Sequence, residues 1–173
     1  MSAESGGNRN RIRRVCLLGI FCAVCIAVGY LESLIPFDFI APGVKIGLAN
    51  SACLMLVMSN DKKGALAVNF IRILLSAFIF GSVSNLMFSL PAGLISLGCT
   101  CLLSRVKVFS AIGIGVIGAA VHNTVQTAVA LFVVGKAALY YFPLLLLCAA
   151  AGGAITGTLC NIILKKVKTN EIF

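Results

Sequence analysis

Arg72 is the residue whose position best suits a chemical role, because long apolar stretches flank it on both sides. A charge deep in such a stretch costs several kcal/mol unless it faces a partner or a watery cavity. Asn69 and Ser76 lie three and four residues away, on the same stripe of a helix. We therefore expect Arg72 to face a polar interior. The alternative is a structural arginine that Glu32 or backbone carbonyls neutralise.

A second polar patch interrupts a later apolar stretch. His122 and Gln126 are one helical turn apart, and Asn123 is adjacent to His122. A lone histidine in a membrane helix is usually satisfied by a hydrogen bond to a neighbouring helix, but three polar side chains together exceed that need. They are poor metal ligands, since no second histidine or acidic cluster accompanies them. The patch therefore predicts ligand binding, with no metal and no cofactor.

The remaining candidates lie near the ends of apolar stretches and complete a predicted substrate-binding set without catalytic residues. Lys45 and Arg72 would be fixed positive charges, and an arginine grips a carboxylate or phosphate in a bidentate manner. We therefore expect a small amphipathic anion, or a zwitterion whose cationic end meets Glu32. The predicted set is Glu32, Lys45, Asn50, Arg72, His122, Asn123 and Gln126.

The charge pattern indicates how these residues are positioned. Basic residues cluster near the N-terminus, at Lys62-Lys63, around Arg105 and near the C-terminus. Placing every cluster in the cytoplasm satisfies the positive-inside bias with both termini inside. A composition of 60% hydrophobic and 11% charged residues, with a mean hydropathy of +1.08, is typical of a membrane protein rather than a soluble domain.

The apolar stretches predict an all-α, polytopic bundle of about six transmembrane helices in the bacterial cytoplasmic membrane. The spans are expected near residues 15–34, 46–60, 64–80, 86–103, 109–134 and 140–164. Residues 1–13 are predicted to form a basic cytoplasmic tail, 14–166 the transmembrane domain, and 167–173 a cytoplasmic C-terminal tail. The polar residues then gather in the middle and outer halves of the spans, which predicts a pocket open to the outside.

The net charge of +9 and the eight cysteines do not indicate nucleic-acid or metal binding. The basic residues form short juxtamembrane clusters rather than one face, so anionic lipid is the predicted partner and nucleic acid is not. Cys22 and Cys25 form a C-x-x-C, but no second pair stands at zinc spacing. We interpret the cysteines as small apolar packing residues.

Small residues spaced by four mark one face of the first span and one face of the last. Such ridges let helix backbones approach closely. Packing inside the bundle explains the ridge of the last span, whereas docking of another subunit is an equal alternative for the first. The two ridges are Gly19, Ala23 and Ala27, and Ala149, Gly153 and Gly157.

Four segments occur together and in order: Pro42 to Asn50, Arg72 to Leu75, Ser89 to Ser96, and Gly118 to Gln126. They resemble the bacterial Gx transporter family, also catalogued as heptaprenyl diphosphate synthase component I. That family is similar in size and topology to the substrate-binding S components of energy-coupling-factor transporters. The resemblance implies six helices that hold a small solute beneath outer loops. It also implies a coupling-factor transmembrane subunit, with its ATPases, that meets the first helix at Gly19, Ala23 and Ala27.

The acidic residues argue against catalysis by this chain. Synthesis of a polyprenyl diphosphate needs Mg²⁺ held by aspartates that share the metal. The five acidic residues are scattered and form no such motif, and the sequence has no P-loop. We therefore expect a subunit that captures a solute from outside and depends on an energising partner. A non-catalytic membrane component of a polyprenyl diphosphate synthase system, and a stand-alone secondary carrier coupled through His122 or Glu32, stay open as alternatives.

Overall fold

A computed structural model of the protein describes residues 2–34, 50–79, 83–106 and 108–166. These residues form six α-helices and a short 3-10 turn, and no strand occurs among them. The all-helical prediction is therefore confirmed. The helices are α1 (Ser2–Leu34), α2 (Ser51–Met58), α3 (Lys62–Ile79), α4 (Val83–Leu103), α5 (Ala111–Val134) and α6 (Ala138–Lys166).

Four helices of the described residues, α1, α4, α5 and α6, are long and apolar enough to cross a membrane. The eight residues of α2 cover only about 12 Å. The eighteen residues of α3 include Lys62, Lys63 and Arg72, which lower its apolar character. A helical membrane protein is thus supported, while six crossings and cytoplasmic termini stay predictions.

A tight turn joins α2 to α3. Asn60 adopts a φ of 64°, in the left-handed region that asparagine tolerates better than most residues. The carboxylate of Asp61 then caps α3, accepting the backbone N–H of Gly64 at 2.9 Å. This turn reverses the chain so that α2 and α3 pack side by side.

Side chains of the same turn form hydrogen bonds with both α1 and α4. Arg14 of α1 donates through Nε to Asp61 Oδ2 at 3.2 Å and through Nη2 to Oδ1. Lys62 Nζ donates to the carbonyl of Cys101, near the last residue of α4, at 3.2 Å. We call this end of the bundle, defined by Arg14, Asp61 and Lys62, the basic end.

The core surrounds α2, whose residues from Ala52 to Val57 are all buried. A short helix that is apolar all round is stable only when other helices enclose it. Cys22 and Cys25 of α1 pack against Cys53 of α2 in one core cluster, and Cys160 of α6 belongs to a second. These four cysteines therefore have the packing role expected of them.

The closest helix contact lies between α5 and α6. A Cβ atom on Gly115 would lie 2.6 Å from the carbonyl oxygen of Gly153, and one on Gly157 would lie 2.5 Å from the Cα atom of Ile112. No side chain fits at such distances, so the small-residue ridge of α6 packs inside the bundle. We call Gly115, Gly153 and Gly157 the glycine seam.

Candidate functional site

Arg72 is held by neutral amides from two helical segments. Its Nη2 donates to Asn50 Oδ1 at 2.8 Å and to Asn69 Oδ1 at 2.9 Å. Its Nε is buried and has no hydrogen-bond partner among the described residues. Within that part of the chain the salt bridge joins Arg14 to Asp61, and no carboxylate forms one with Arg72. The guanidinium is therefore half-buried and only partly satisfied.

Asn69 connects this arginine to α4. Its Nδ2 donates to the carbonyl of Gly93 at 3.0 Å, and its side chain is buried. Because Arg72 only donates and a carbonyl only accepts, the two contacts fix which way the amide points. A Cβ on Gly93 would lie 2.5 Å from Ile73 Cδ1 and 3.2 Å from Asn69 Nδ2, so a side chain here would displace those two side chains of α3. We call Asn50, Asn69, Arg72 and Gly93 the Arg72 layer.

The helix rise gives the distance of the Arg72 layer from the basic end. Counted along α3 from Asp61 at 1.5 Å per residue, Arg72 is about 16 Å from that end. Glu32, counted along α1 from Arg14, is about 27 Å from that end. Glu32 is buried and makes contacts of its own there. The hydrogen-bond partners of Arg72 among the described residues are amides, so neutralisation by Glu32 finds no support.

A cavity of about 50 Å³ adjoins the Arg72 layer. Thr100 lies about 5 Å from the last residue of α4 and Gly115 about 6 Å from the first residue of α5, so the cavity extends from the layer toward the basic end. The sequence predicted a pocket in the middle and outer halves of the spans, open to the outside, and Lys45 of that predicted pocket lies outside the described residues. The polar residues that line the cavity are Asn50, Asn69, Ser96, Thr100 and Thr156, with Gly93, Gly115, Gly118 and Gly153 supplying backbone.

The hydroxyl groups of the cavity donate within their own helices. Thr100 Oγ1 donates to the carbonyl of Ser96 at 2.8 Å, and Thr156 Oγ1 to that of Gly153 at 3.0 Å. Ser96 Oγ donates to the carbonyl of Gly93 at 3.3 Å. A hydroxyl that has used its hydrogen keeps only lone pairs for other partners. Thr100 and Thr156 therefore act on the cavity as acceptors, and Ser96 adds a third hydroxyl oxygen that also lies 3.5 Å from His122 Nδ1.

The predicted patch on α5 is divided between two neighbours. His122 Nδ1 lies 3.5 Å from Ser96 Oγ, so this residue faces α4 and touches a residue of the cavity wall. Asn123 Nδ2 donates to the carbonyl of Leu145 on α6 at 2.9 Å. Gln126 is half-buried one turn further on. None of the three lines the cavity, so only His122 is connected to it.

The predicted subunit interface lies on the outside of α1. Gly19, Ala23 and Ala27 are all exposed, and a Cβ on Gly19 would meet nothing within 4 Å. The opposite face of α1 carries Cys22 and Cys25, which pack into the core. The stripe is thus accessible to another helix, and its role as an interface stays a prediction.

Four polar cavity residues were absent from the predicted set. Asn69 had a usable signal, because it shares a helical stripe with Arg72. Ser96 and Thr100 are four residues apart on α4 and therefore share a face. Thr156 stands alone in a glycine-rich stretch, and its sequence context gave no signal.

Comparison with known families gives one match. The sequence profile of the family described as heptaprenyl diphosphate synthase component I matches residues 21–163, which include every residue of the cavity wall. No curated protein and no solved structure matches the chain.

Proposed function

This chain belongs to the heptaprenyl diphosphate synthase component I family, and we propose that it is a membrane-embedded solute-binding subunit without catalytic activity of its own. The observation that carries the proposal is the environment of Arg72. Its guanidinium is half-buried and bound to the neutral amides of Asn50 and Asn69, with Nε unpartnered among the described residues. A charge held in this way is costly, and a carboxylate or phosphate of a solute would complete its hydrogen bonds.

The cavity beside this layer supplies the space for a small anionic or zwitterionic solute. Its volume of about 50 Å³ holds a few water molecules, which a solute would displace. Binding sites of membrane transport proteins commonly lie near the bilayer midplane. If α3 crosses the membrane as proposed, Arg72 lies about 16 Å from its cytoplasmic end, half of a hydrocarbon core of about 30 Å. Entry from outside, and the bacterial cytoplasmic membrane as the location, are parts of this proposal.

An energising partner completes the proposed activity. The sequence has no P-loop, so ATP hydrolysis would come from separate ATPase subunits. The exposed stripe of Gly19, Ala23 and Ala27 lets another backbone approach α1 closely, and we assign to it a coupling-factor transmembrane subunit. Anionic lipid would surround the basic end.

The family description favours a second candidate function, a non-catalytic component of a polyprenyl diphosphate synthase system. In that role the Arg72 layer would bind the diphosphate end of a prenyl substrate, and a separate subunit would hold Mg²⁺. We propose that this chain performs no catalysis in either case, because its five acidic residues form no metal-binding motif.

Co-expression separates the two functions. The full chain is produced with the coupling-factor subunits and with the catalytic prenyl synthase subunit of the same organism, and the co-purified partner is identified. We expect the coupling subunits to co-purify and to drive solute uptake into proteoliposomes. Recovery of the synthase subunit alone, with stimulation of its activity, would establish the second function instead.

A change on α1 then tests the interface. Replacing Ala23 or Ala27 by leucine should abolish uptake and leave solute binding and Tm unchanged, because a bulky side chain blocks close backbone approach. Ala151→Leu, on an exposed position of α6, is the matched control and should support normal uptake. Normal uptake in all three variants would remove the stripe from the proposal.

Reporter fusions test the proposed orientation. Fusions after Lys62, Arg105 and Lys168 should report the cytoplasm, and those near Asp38, Ser82 and Lys136 the outside. An odd number of crossings would contradict the depth assigned to Arg72.

A further inference from the structure

We infer that the cavity binds a small zwitterion, with its carboxylate against the Arg72 layer and its ammonium group on the hydroxyl oxygens of Ser96, Thr100 and Thr156. The inference rests on the proposed solute-binding function and deepens it by naming the class of solute. It follows from the unequal distribution of hydrogen-bond donors and acceptors around the cavity.

The wall toward the basic end offers acceptors. The hydroxyl hydrogens of Thr100 and Thr156 are used on carbonyls of their own helices. The Ser96 hydroxyl lies between the carbonyl of Gly93 at 3.3 Å and His122 Nδ1 at 3.5 Å, and its oxygen is the third acceptor of this wall. Thr100 and Thr156 are buried, with 7% and 4% exposure, so bulk water does not satisfy their lone pairs. An ammonium group has three donors and no acceptor, and therefore complements such a wall.

The wall formed by the Arg72 layer offers donors and positive charge. Asn50 turns its Oδ1 toward Arg72, which leaves its amino group as the donor that faces other partners. The Nε of Arg72, whose Nη2 bonds to this asparagine, is buried and unpartnered among the described residues. A carboxylate placed against this layer would accept a hydrogen bond from the Asn50 amide, and the positive charge of the nearby guanidinium would stabilise it.

The two walls together disfavour ligands with a single charge. A simple cation would be repelled by Arg72, because no described carboxylate pairs with that residue. A simple anion would leave the hydroxyl oxygens without donors. A zwitterion satisfies both walls and carries no net charge into the membrane, and the cavity volume of about 50 Å³ limits it to the size of a small amino acid.

Matched probes test the inference on the full chain purified in detergent. Binding is measured by calorimetry for glycine, β-alanine and 4-aminobutanoate, and for the carboxylate and the amine that correspond to each. We expect at least one amino acid to bind about tenfold or more tightly than its matched carboxylate and amine, since hydrogen bonds to a charged group are strong.

Two threonine variants, one in the cavity wall and one control outside it, test the role of the hydroxyl oxygens. Thr100→Val should abolish the preference for the amino acid and leave the affinity for the matched carboxylate unchanged. Thr124→Val is the control, because Thr124 Oγ1 makes the same type of bond, to the carbonyl of Ala120 at 2.8 Å, on an exposed face of α5. That variant should keep the full preference.

The outcomes separate this inference from the proposed function. Equal binding of amino acids and carboxylates, or an unchanged preference in Thr100→Val, would overturn the zwitterion while solute binding stands. Binding of inorganic phosphate or pyrophosphate without any amino acid would do the same. Failure of every anion and amino acid to bind would overturn the proposed function as well.

Discussion

Arg14 and Arg72 lie on neighbouring helices and have opposite surroundings. Arg14 is 47% exposed at the basic end and makes two hydrogen bonds to the carboxylate of Asp61. Arg72 is half-buried, about 16 Å along α3 from that end, and bound to the amides of Asn50 and Asn69. The exposed arginine thus has a counter-ion, whereas the less solvated one has neutral partners within the described residues. Burial without a counter-ion, rather than charge alone, is what distinguishes the candidate functional arginine.

The largest effect is expected from Arg72→Ala. Loss of a charge-assisted contact to the solute should weaken binding by about 1.5–3 kcal/mol, or roughly 10- to 100-fold. Arg72→Lys should restore only part of the affinity, because a point charge replaces the planar fork. Titration of the purified variants measures both, and unchanged affinity in Arg72→Ala would return the residue to a structural role.

Asn50→Asp makes Arg72 resemble Arg14. The new carboxylate would occupy the acceptor position at 2.8 Å from Nη2 and pair with the guanidinium. We expect the affinity for an anionic or zwitterionic solute to fall about tenfold or more, with Tm kept or raised, because the internal ion pair competes with the ligand. Asn50→Leu is the control for loss of the amide without a new charge. Full solute affinity in Asn50→Asp would contradict the claim that Arg72 binds solute because it lacks a counter-ion.

Asp61→Ala tests the carboxylate of the basic end. It should lower the free energy of unfolding by about 1–2 kcal/mol, because Asp61 both caps α3 and pairs with Arg14. Solute affinity should stay at the wild-type value. Thermal unfolding and titration of the same sample would check both parts, and a loss of affinity would link the basic end to the site.

Arg14→Ala should have the smallest effect. An exposed pair contributes less than about 1 kcal/mol, and salt weakens it further. We expect a small decrease in Tm that disappears at high ionic strength, with unchanged solute binding. A decrease as large as that of Asp61→Ala would show that the ion pair, rather than the cap, stabilises this turn.

The sequence was sufficient to predict an all-helical membrane protein and polar surroundings for Arg72. A charge inside a long apolar stretch is visible without any structure, and Asn50 could be placed beside it by counting residues. The division of His122 and Asn123 between α4 and α6 could not be predicted, because it depends on which helices pack against α5. Adjacent positions on a helix point about 100° apart, so neighbours in sequence need not share a site.

The hydroxyl acceptors of the cavity, Ser96, Thr100 and Thr156, could not be predicted from the sequence for a different reason. Serine and threonine in membrane helices commonly donate to their own backbone, as Thr100, Thr156 and the exposed Thr124 all do. Sequence alone does not distinguish the hydroxyls that also face a cavity from those that face lipid. Similarly, the second predicted span covered residues 46–60, whereas α2 extends from Ser51 to Met58 and residues 46–49 lie outside the described part.

The three glycines that α5 and α6 contribute to the cavity wall have a consequence for how selectivity can change. Gly115, Gly118 and Gly153 present main-chain atoms to the cavity, and glycine has no side chain left to remove. Substitutions at these positions can only narrow the space, and at Gly115 and Gly153 they would also force α5 and α6 apart. Acceptance of a larger solute must therefore come from shorter side chains elsewhere in the wall, such as Leu54, Leu97 and Ile114. The glycines thus set a fixed upper limit on one dimension of the ligand, whereas the rest of the wall can evolve with the solute.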